Sequence, residues 1–190
     1  AGPLVQMGAL SRIGGFRASR FEYQKGLDYL EQALALARKL DDPLGQAVAL
    51  NNLAAIYGQM GDNRKGVEYQ ERAVHFYHAV GNLREEAIGR NNLGRFYQVL
   101  GEYQKALEHL RQSLELRQRV RDERGEGITL NNIGLVYAAI GEYSRALDYY
   151  HRTLAKRQKL QDWTGIANVL NNMGTVYSGL GEIDKALDCY

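Results

Sequence analysis

One cysteine, Cys189, leaves no internal disulfide to be made, which suits a reducing compartment. Prolines number only two and no low-complexity tract occurs, so nothing reads as a linker or as a second domain. Basic and acidic residues nearly cancel, leaving a net charge of +2, and the chain has no general electrostatic reason to hold nucleic acid. No apolar run approaches membrane-spanning length. The first residues lack the basic-then-apolar order of a signal peptide, and no Asn-x-Ser/Thr acceptor occurs. The expectation is a soluble, cytoplasmic protein without membrane contact. Motifs of chemistry are missing as well: no Gly-rich loop ending in Lys-Ser/Thr, no His-Glu-x-x-His and no Gly-x-Ser-x-Gly. His75 and His78 stand one helical turn apart, but no Cys or third His completes a metal site. Cys189 reads as a passive residue, and the paired acids Glu85 and Glu86 suit the start of a helix better than acid–base work. No enzyme activity, metal or cofactor is expected.

What is present is a period. Leu50-Asn51-Asn52-Leu53-Ala54-Ala55-Ile56-Tyr57, Arg90-Asn91-Asn92-Leu93-Gly94-Arg95-Phe96-Tyr97, Leu130-Asn131-Asn132-Ile133-Gly134-Leu135-Val136-Tyr137 and Leu170-Asn171-Asn172-Met173-Gly174-Thr175-Val176-Tyr177 follow one another at forty-residue intervals. Each is followed, four residues after its Tyr, by Gly61, Gly101, Gly141 or Gly181. A fixed period of this size signals stacked supersecondary units in one elongated array. The units are 41–80, 81–120 and 121–160, with a worn first copy at 1–40 and a shortened last copy at 161–190.

Within 41–80, Asp41-Asp42-Pro43 is a helix start. Leu44, Ala47, Val48, Leu50, Leu53, Ala54, Ile56 and Tyr57 then recur at helical spacing. Gly61-Asp62 breaks the run. A second helix is predicted from about Arg64, with Val67, Ala73, Val74 and Tyr77 on one face, and Gly81 stops it. Short connections make the two helices antiparallel neighbours. Small residues at Ala54, Gly94, Gly134 and Gly174 on the first helix, and at Gly66, Ala106, Ala146 and Ala186 on the second, allow the pair a close approach. The Tyr at 57, 97, 137 and 177 is the large partner that fills the groove. In residues 1–40, Ile13-Gly14 and Gly26-Leu27-Asp28-Tyr29 keep the register, while Arg17 replaces the Tyr and Phe21 the turn glycine. Arg12, Arg17 and Arg20 suit a solvated outer face.

Asn-Leu-Gly-x-x-Tyr, then Gly, then Ala five residues on, resembles the tetratricopeptide repeat. That repeat is usually about 34 residues long, so the longer unit here is expected to extend its second helix by over a turn. The double Asn is most similar to the repeats of kinesin light chain, of Pins/LGN-type spindle-orientation adaptors and of bacterial signalling proteins. The resemblance implies an all-α fold, a right-handed α-solenoid of stacked antiparallel helix pairs. It also implies a concave groove lined by first helices, at Val48, Asn51, Asn52, Ala55 and Gln59, then Ile88, Asn91, Asn92, Arg95 and Gln98. The series continues with Ile128, Asn131, Asn132, Leu135 and Ala138, and with Asn168, Asn171, Asn172, Thr175 and Ser178. In kinesin light chain and Pins-like repeats the matching Asn positions contact an extended partner peptide, and that role is carried over by resemblance to all eight Asn.

An Asn side chain both donates and accepts, so a ladder of them suits the main chain of an extended peptide. Ile88, Ile128 and Leu135 would seat apolar anchors. Arg95, with Arg90 or Arg12, would meet an acidic side chain or a terminal carboxylate. The opposing reading is that one Asn of each pair bonds a neighbouring helix and serves only the stack. Arg90, where the other units have Leu, reads equally as a snorkelling side chain. Arg117, Arg119 and Arg121, and Lys156, Arg157 and Lys159, fall at second-helix C-termini, where the helix dipole accounts for them. The expected function is a non-catalytic scaffold that binds a protein or peptide.

Two alternatives stay open. One is self-assembly through the end repeats. Leu187 and Tyr190 would lie uncovered there, and residues 1–40 carry six basic and three acidic groups against one and four in 161–190. The other is that the chain is a fragment and the sensor arm of a larger signalling protein.

Overall fold

The computed structural model describes residues 2–190. These form α-helices at intervals of twenty residues: α1 (Pro3–Ser19), α2 (Tyr23–Lys39), α3 (Pro43–Gln59), α4 (Asn63–Ala79), α5 (Leu83–Val99), α6 (Tyr103–Arg119), α7 (Glu123–Ala139), α8 (Tyr143–Lys159), α9 (Trp163–Gly179) and α10 (Ile183–Cys189). Among the described residues there is no strand. Helices α1 to α9 are each 17 residues long. The extra length is therefore not confined to the second helix, as expected, but shared: both helices of a repeat are equal, and the sequence repeats every forty residues while the backbone repeats every twenty.

The turns explain the twenty-residue rhythm. Each has three residues, and its middle residue is left-handed: Gly61, Gly81, Gly101, Gly141 and Gly181, but also Phe21, Asp41, Arg121 and Gln161. The N–H of Gly61 donates to Gly58 O at 3.1 Å and the N–H of Asp62 to Tyr57 O at 2.9 Å, a Schellman closure that most of the other turns copy. The next helix then starts at once. First helices are capped by side chains, with Asp42, Asn82, Asp122 and Asp162 accepting from the N–H three residues on, worth about 1 kcal/mol each. Second helices mostly lack such a cap. Instead Glu22, Glu102, Glu142 and Glu182 pair with Lys25, Lys105, Arg145 and Lys185, exposed contacts that contribute little.

The chain packs as two units, one running through Gly101 and holding α1–α5, the other Glu102–Tyr190 with α6–α10. In the first, each helix packs on the next, and α1 also touches α3. Its core is Leu27, Leu30, Leu34, Leu50, Leu53, Ile56 and Tyr77 with Ala33, Ala47 and Ala73 between them. Each such large side chain contributes roughly 1.5–3 kcal/mol on burial. Gly14 and Gly26 bring α1 and α2 together, since a Cβ on either would lie 3.0 Å from the other's carbonyl oxygen. Gly66 is small for a different reason. A Cβ there, or on Gly58, would meet Cε1 of Phe96 at 2.7 Å, so α5 drives its Phe into a slot that α3 and α4 leave open. In the second unit Leu110, Leu130, Ile133, Val136 and Tyr150 are buried, and Gly134 is the space into which Tyr150 fits, 2.5 Å from where a Cβ would stand.

The repeat tyrosines do more than fill space. Tyr57 stacks on Tyr69 at 5.2 Å, with Lys65 over the Tyr57 ring and Arg72 over the Tyr69 ring. Tyr137 and Tyr149 repeat the arrangement at 5.5 Å, with Arg145 over the first ring and Arg152 over the second. The hydroxyls reach the previous repeat: Tyr97 donates to Glu71 at 2.7 Å, and Tyr137 accepts from Arg111 at 2.9 Å.

Candidate protein-binding face

The Asn pairs stand in the middle of the first helices, and the two members of a pair have different surroundings because successive helical residues point 100° apart. Asn51 is half-buried and its Oδ1 accepts from Gln70 of α4 at 3.1 Å. Gln70 is 1% exposed, so this bond satisfies a buried amide and belongs to the stack. Asn91 and Asn132 are 5% and 8% exposed and are not free. Asn172 of α9 donates to Asn131 Oδ1 of α7 at 3.0 Å, so an amide of one repeat holds an amide of the previous one. The members that remain toward solvent are Asn52 and Asn92, both half-buried, and Asn171, which is exposed. The Asn171 carbonyl accepts the Thr175 hydroxyl at 3.0 Å. Arg95 and Thr175 are exposed, and Gln98 and Leu135 are half-buried.

The side of the helices that carries Val48 and Asn52 is hollowed in the first unit. A cleft of about 490 Å3 lies between α1 and α3, lined by Met7, Gly8, Ser11, Arg12 and Gly15 from one helix and Leu44, Gly45, Val48 and Asn52 from the other, with Asp42 at its end. Arg12 thus belongs to this wall and not to an outer face. Apart from Arg12, sequence reasoning left residues 1–40 out of the site. The signal was available in the forty-residue register: Gly8 stands where Val48, Ile88 and Ile128 stand, and Gly15 where Ala55, Arg95 and Leu135 stand.

Some charges away from this face are internal fasteners. Glu86 is buried at 2% exposure, bonded by Arg90 at 2.7 Å, with His78 Nδ1 at 3.1 Å. Arg90 therefore pairs with a buried carboxylate, a contact that its position alone did not reveal. The helix dipole alone does not account for Arg117 and Arg157, each of which holds one particular carboxylate. Arg117, 4% exposed, bonds Asp122 at 3.0 Å, and Arg157 bonds Asp162. Both carboxylates also cap the next helix at Gly125 N and Gly165 N, 3.0 Å away. A Cβ on Gly125 would lie 1.5 Å from the Arg117 guanidinium, so the glycine is the passage for the ion pair. The Asp162 carboxyl is held below its ordinary range by the Gly165 N–H and by Arg157, against the opposing effect of burial. Burial lowers the Arg117 guanidinium while Asp122 works against it. No group of three His, Cys, Asp or Glu placed for a metal occurs among the described residues, and no helix of theirs is long and apolar enough to cross a membrane.

Paired helices joined by three-residue turns, with a repeated polar seam on the first helix of each pair, define an all-α repeat protein. The chain belongs to the tetratricopeptide-repeat family: that family's profile matches residues 6–77, 85–159 and 129–190. This is a fold of protein-interaction scaffolds and in general a non-catalytic one. Solved structures agree on the fold. A putative kinesin light chain from Podosopora anserina, built of nearly identical TPR-like repeats, is 18% identical with a TM-score of 0.81, over 99% of this chain and 92% of that one. A Rap protein complexed with competence and sporulation factor is 17% identical with a TM-score of 0.83, over 100% of this chain and 53% of its own. A signal-transduction ATPase with numerous domains and a tetratricopeptide-repeat sensor, from Pyrococcus horikoshii, is 13% identical with a TM-score of 0.88, over 98% of this chain and 30% of that one. No curated protein matches the chain.

Proposed function

We propose that this chain is a non-catalytic docking module, a single array of units 1–40, 41–80, 81–120, 121–160 and 161–190 that binds a segment of another polypeptide along its first helices. The observation that carries the reading is the division of labour within the Asn pairs. Asn51 and Asn131 hold neighbouring helices, while Asn52, which lines a cleft, half-buried Asn92 and exposed Asn171 make no side-chain hydrogen bond among the described residues. An amide in that position bonds a peptide N–H or C=O whatever the peptide's side chains are. Beside them Val48 and Ile128 are exposed apolar contacts, and Arg95 and Arg12 are cations for an acidic group. Solved structures of the fold include one complexed with competence and sporulation factor and one that carries a tetratricopeptide-repeat sensor, which supports partner binding.

The test begins with a displayed library of twelve-residue random peptides selected on the whole chain. The selected peptides should bind an Asn52→Ala/Asn92→Ala/Asn171→Ala triple variant about tenfold more weakly, with the melting temperature unchanged. Peptides that bind the triple variant as well as the parent would rule out the amide face.

A further inference from the structure

The cleft between α1 and α3 is a hole of definite origin. At the positions of Gly8 and Gly15 a Cβ would meet nothing within 4 Å. Glycine weakens a helix interior relative to alanine, and here no close approach of another chain segment compensates for it. The local sequence thus works against α1 and leaves open a space that the later repeats fill with Val48, Ile88 and Ile128 or with Ala55, Arg95 and Leu135. Its size, about 490 Å3, falls within the range of ligand sites. Met7, Leu44 and Val48 form apolar walls. Arg12 supplies a guanidinium that makes no ion pair among the described residues, while the one nearby carboxylate, Asp42, is turned to the N–H of Gly45 at 3.0 Å. Arg12 lies between the two glycines in sequence. The cleft runs about 12 Å along α1, from Met7 to Gly15, at 1.5 Å per residue. That is the span of roughly four residues of extended chain, whose alternate side chains point the same way.

We propose that this cleft is a specificity pocket for a peptide segment that carries a large apolar side chain with a carboxylate two residues away, the first filling the space over Gly8 and Gly15 and the second meeting Arg12. The inference rests on the docking reading above and adds to it what the partner must contain. The complementarity is twofold: apolar walls for the apolar group, and an unpaired cation for the acid.

The experiment titrates the 15N-labelled chain of residues 1–190 with Ac-Ala-Phe-Ala-Asp-Ala-NH2 and follows the amide signals of Gly8, Gly15 and Val48. Saturable shifts are expected in the millimolar range, as befits a short peptide. Exchanging Phe for Ala in the peptide should weaken binding about tenfold, and exchanging Asp for Asn about threefold. In an Arg12→Gln variant the Asp and Asn peptides should bind alike. A Gly8→Ile/Gly15→Leu variant should lose the peptide and melt no lower than the parent. Should that filled variant fail to fold, the Arg12→Gln comparison still decides. Shifts that survive the filling, an Asp peptide no better than its Asn twin on the parent chain, or no saturation by about 10 mM would each overturn the pocket. Phenylbutyrate, run in parallel, separates a site for free acids from one for peptides: tighter binding of the free acid than of the peptide also overturns it. If library-selected peptides bind the filled variant as well as the parent but need Asn52, Asn92 and Asn171, the pocket alone is lost. If they need neither, the docking reading falls with it.

Discussion

Asn172 donates its side-chain amide to Asn131, 3.0 Å away and 41 residues earlier in the chain. The bond joins equivalent helices of consecutive repeats, and it occupies only half of each carboxamide. Asn131 keeps its NH2 group and Asn172 its oxygen, so the bridge orients one donor and one acceptor while it fastens α7 to α9. Asn131→Ala should lower stability by about 1 kcal/mol, and the double change with Asn172→Ala should cost little more than the single one. Denaturant unfolding of the three variants measures the coupling. Asn171→Ala, by contrast, should leave the midpoint where it is, since that side chain is exposed.

The buried pair of Arg117 and Asp122 gives a larger effect. Asp122→Ala removes both a helix cap and the only counter-charge that the ion pairs of the described residues offer a guanidinium 4% exposed. A loss of about 3 kcal/mol or more is expected in chemical denaturation. Gly125→Ala should act in the same direction without touching either charge, because its methyl would occupy the path of the guanidinium. Replacing Arg117 by Met together with Asp122 by Ser, which keeps a cap, should recover most of the loss.

Four turns bear a left-handed residue other than glycine. Arg121 and Gln161, at φ of 55° and 53°, are exposed and have no role in an ion pair among the described residues. Arg121→Gly and Gln161→Gly should each raise stability by about 1 kcal/mol, the relief of the steric penalty less the greater freedom of glycine in the unfolded chain. Gly141→Ala, at φ 79°, should lower it by a similar amount. Thermal melts of the three variants compare them directly.

Alkaline pH should loosen both units. Burial pushes the hydroxyls of Tyr77 and Tyr150 up to about 12 from an ordinary 10, with Glu85 adding to the effect at Tyr77. The neutral phenol is the form that the fold accepts. Its contribution is complete below the unfolded value near 10 and is lost as pH climbs through about 12. Unfolding free energy should therefore decline between those two values. Tyr150→Phe should decline less steeply, even though it loses nothing at neutral pH except the hydroxyl's own contacts.

Much of this architecture could be read from residues alone. The forty-residue register of Asn-Asn, Tyr and Gly located the helix pairs, and Asp42-Pro43 marked a helix start that the cap at Gly45 realises. These are local signals, written in helical spacing, caps and turn residues, and they do not depend on what comes to lie opposite. Contacts between repeats could not be read in that way. Nothing in the order of residues tells that Gly66 makes room for Phe96, that Asn51 is spent on Gln70 while Asn52 faces a cleft, or that Arg117 leaves its helix terminus for Asp122. Each of those pairings spans a helix–helix interface, where a rotation of 100° separates a buried amide from an exposed one. The sequence by itself determined that the chain would stack helix pairs. Which polar groups the stack consumes, and which it leaves accessible to solvent, was decided only when the helices met.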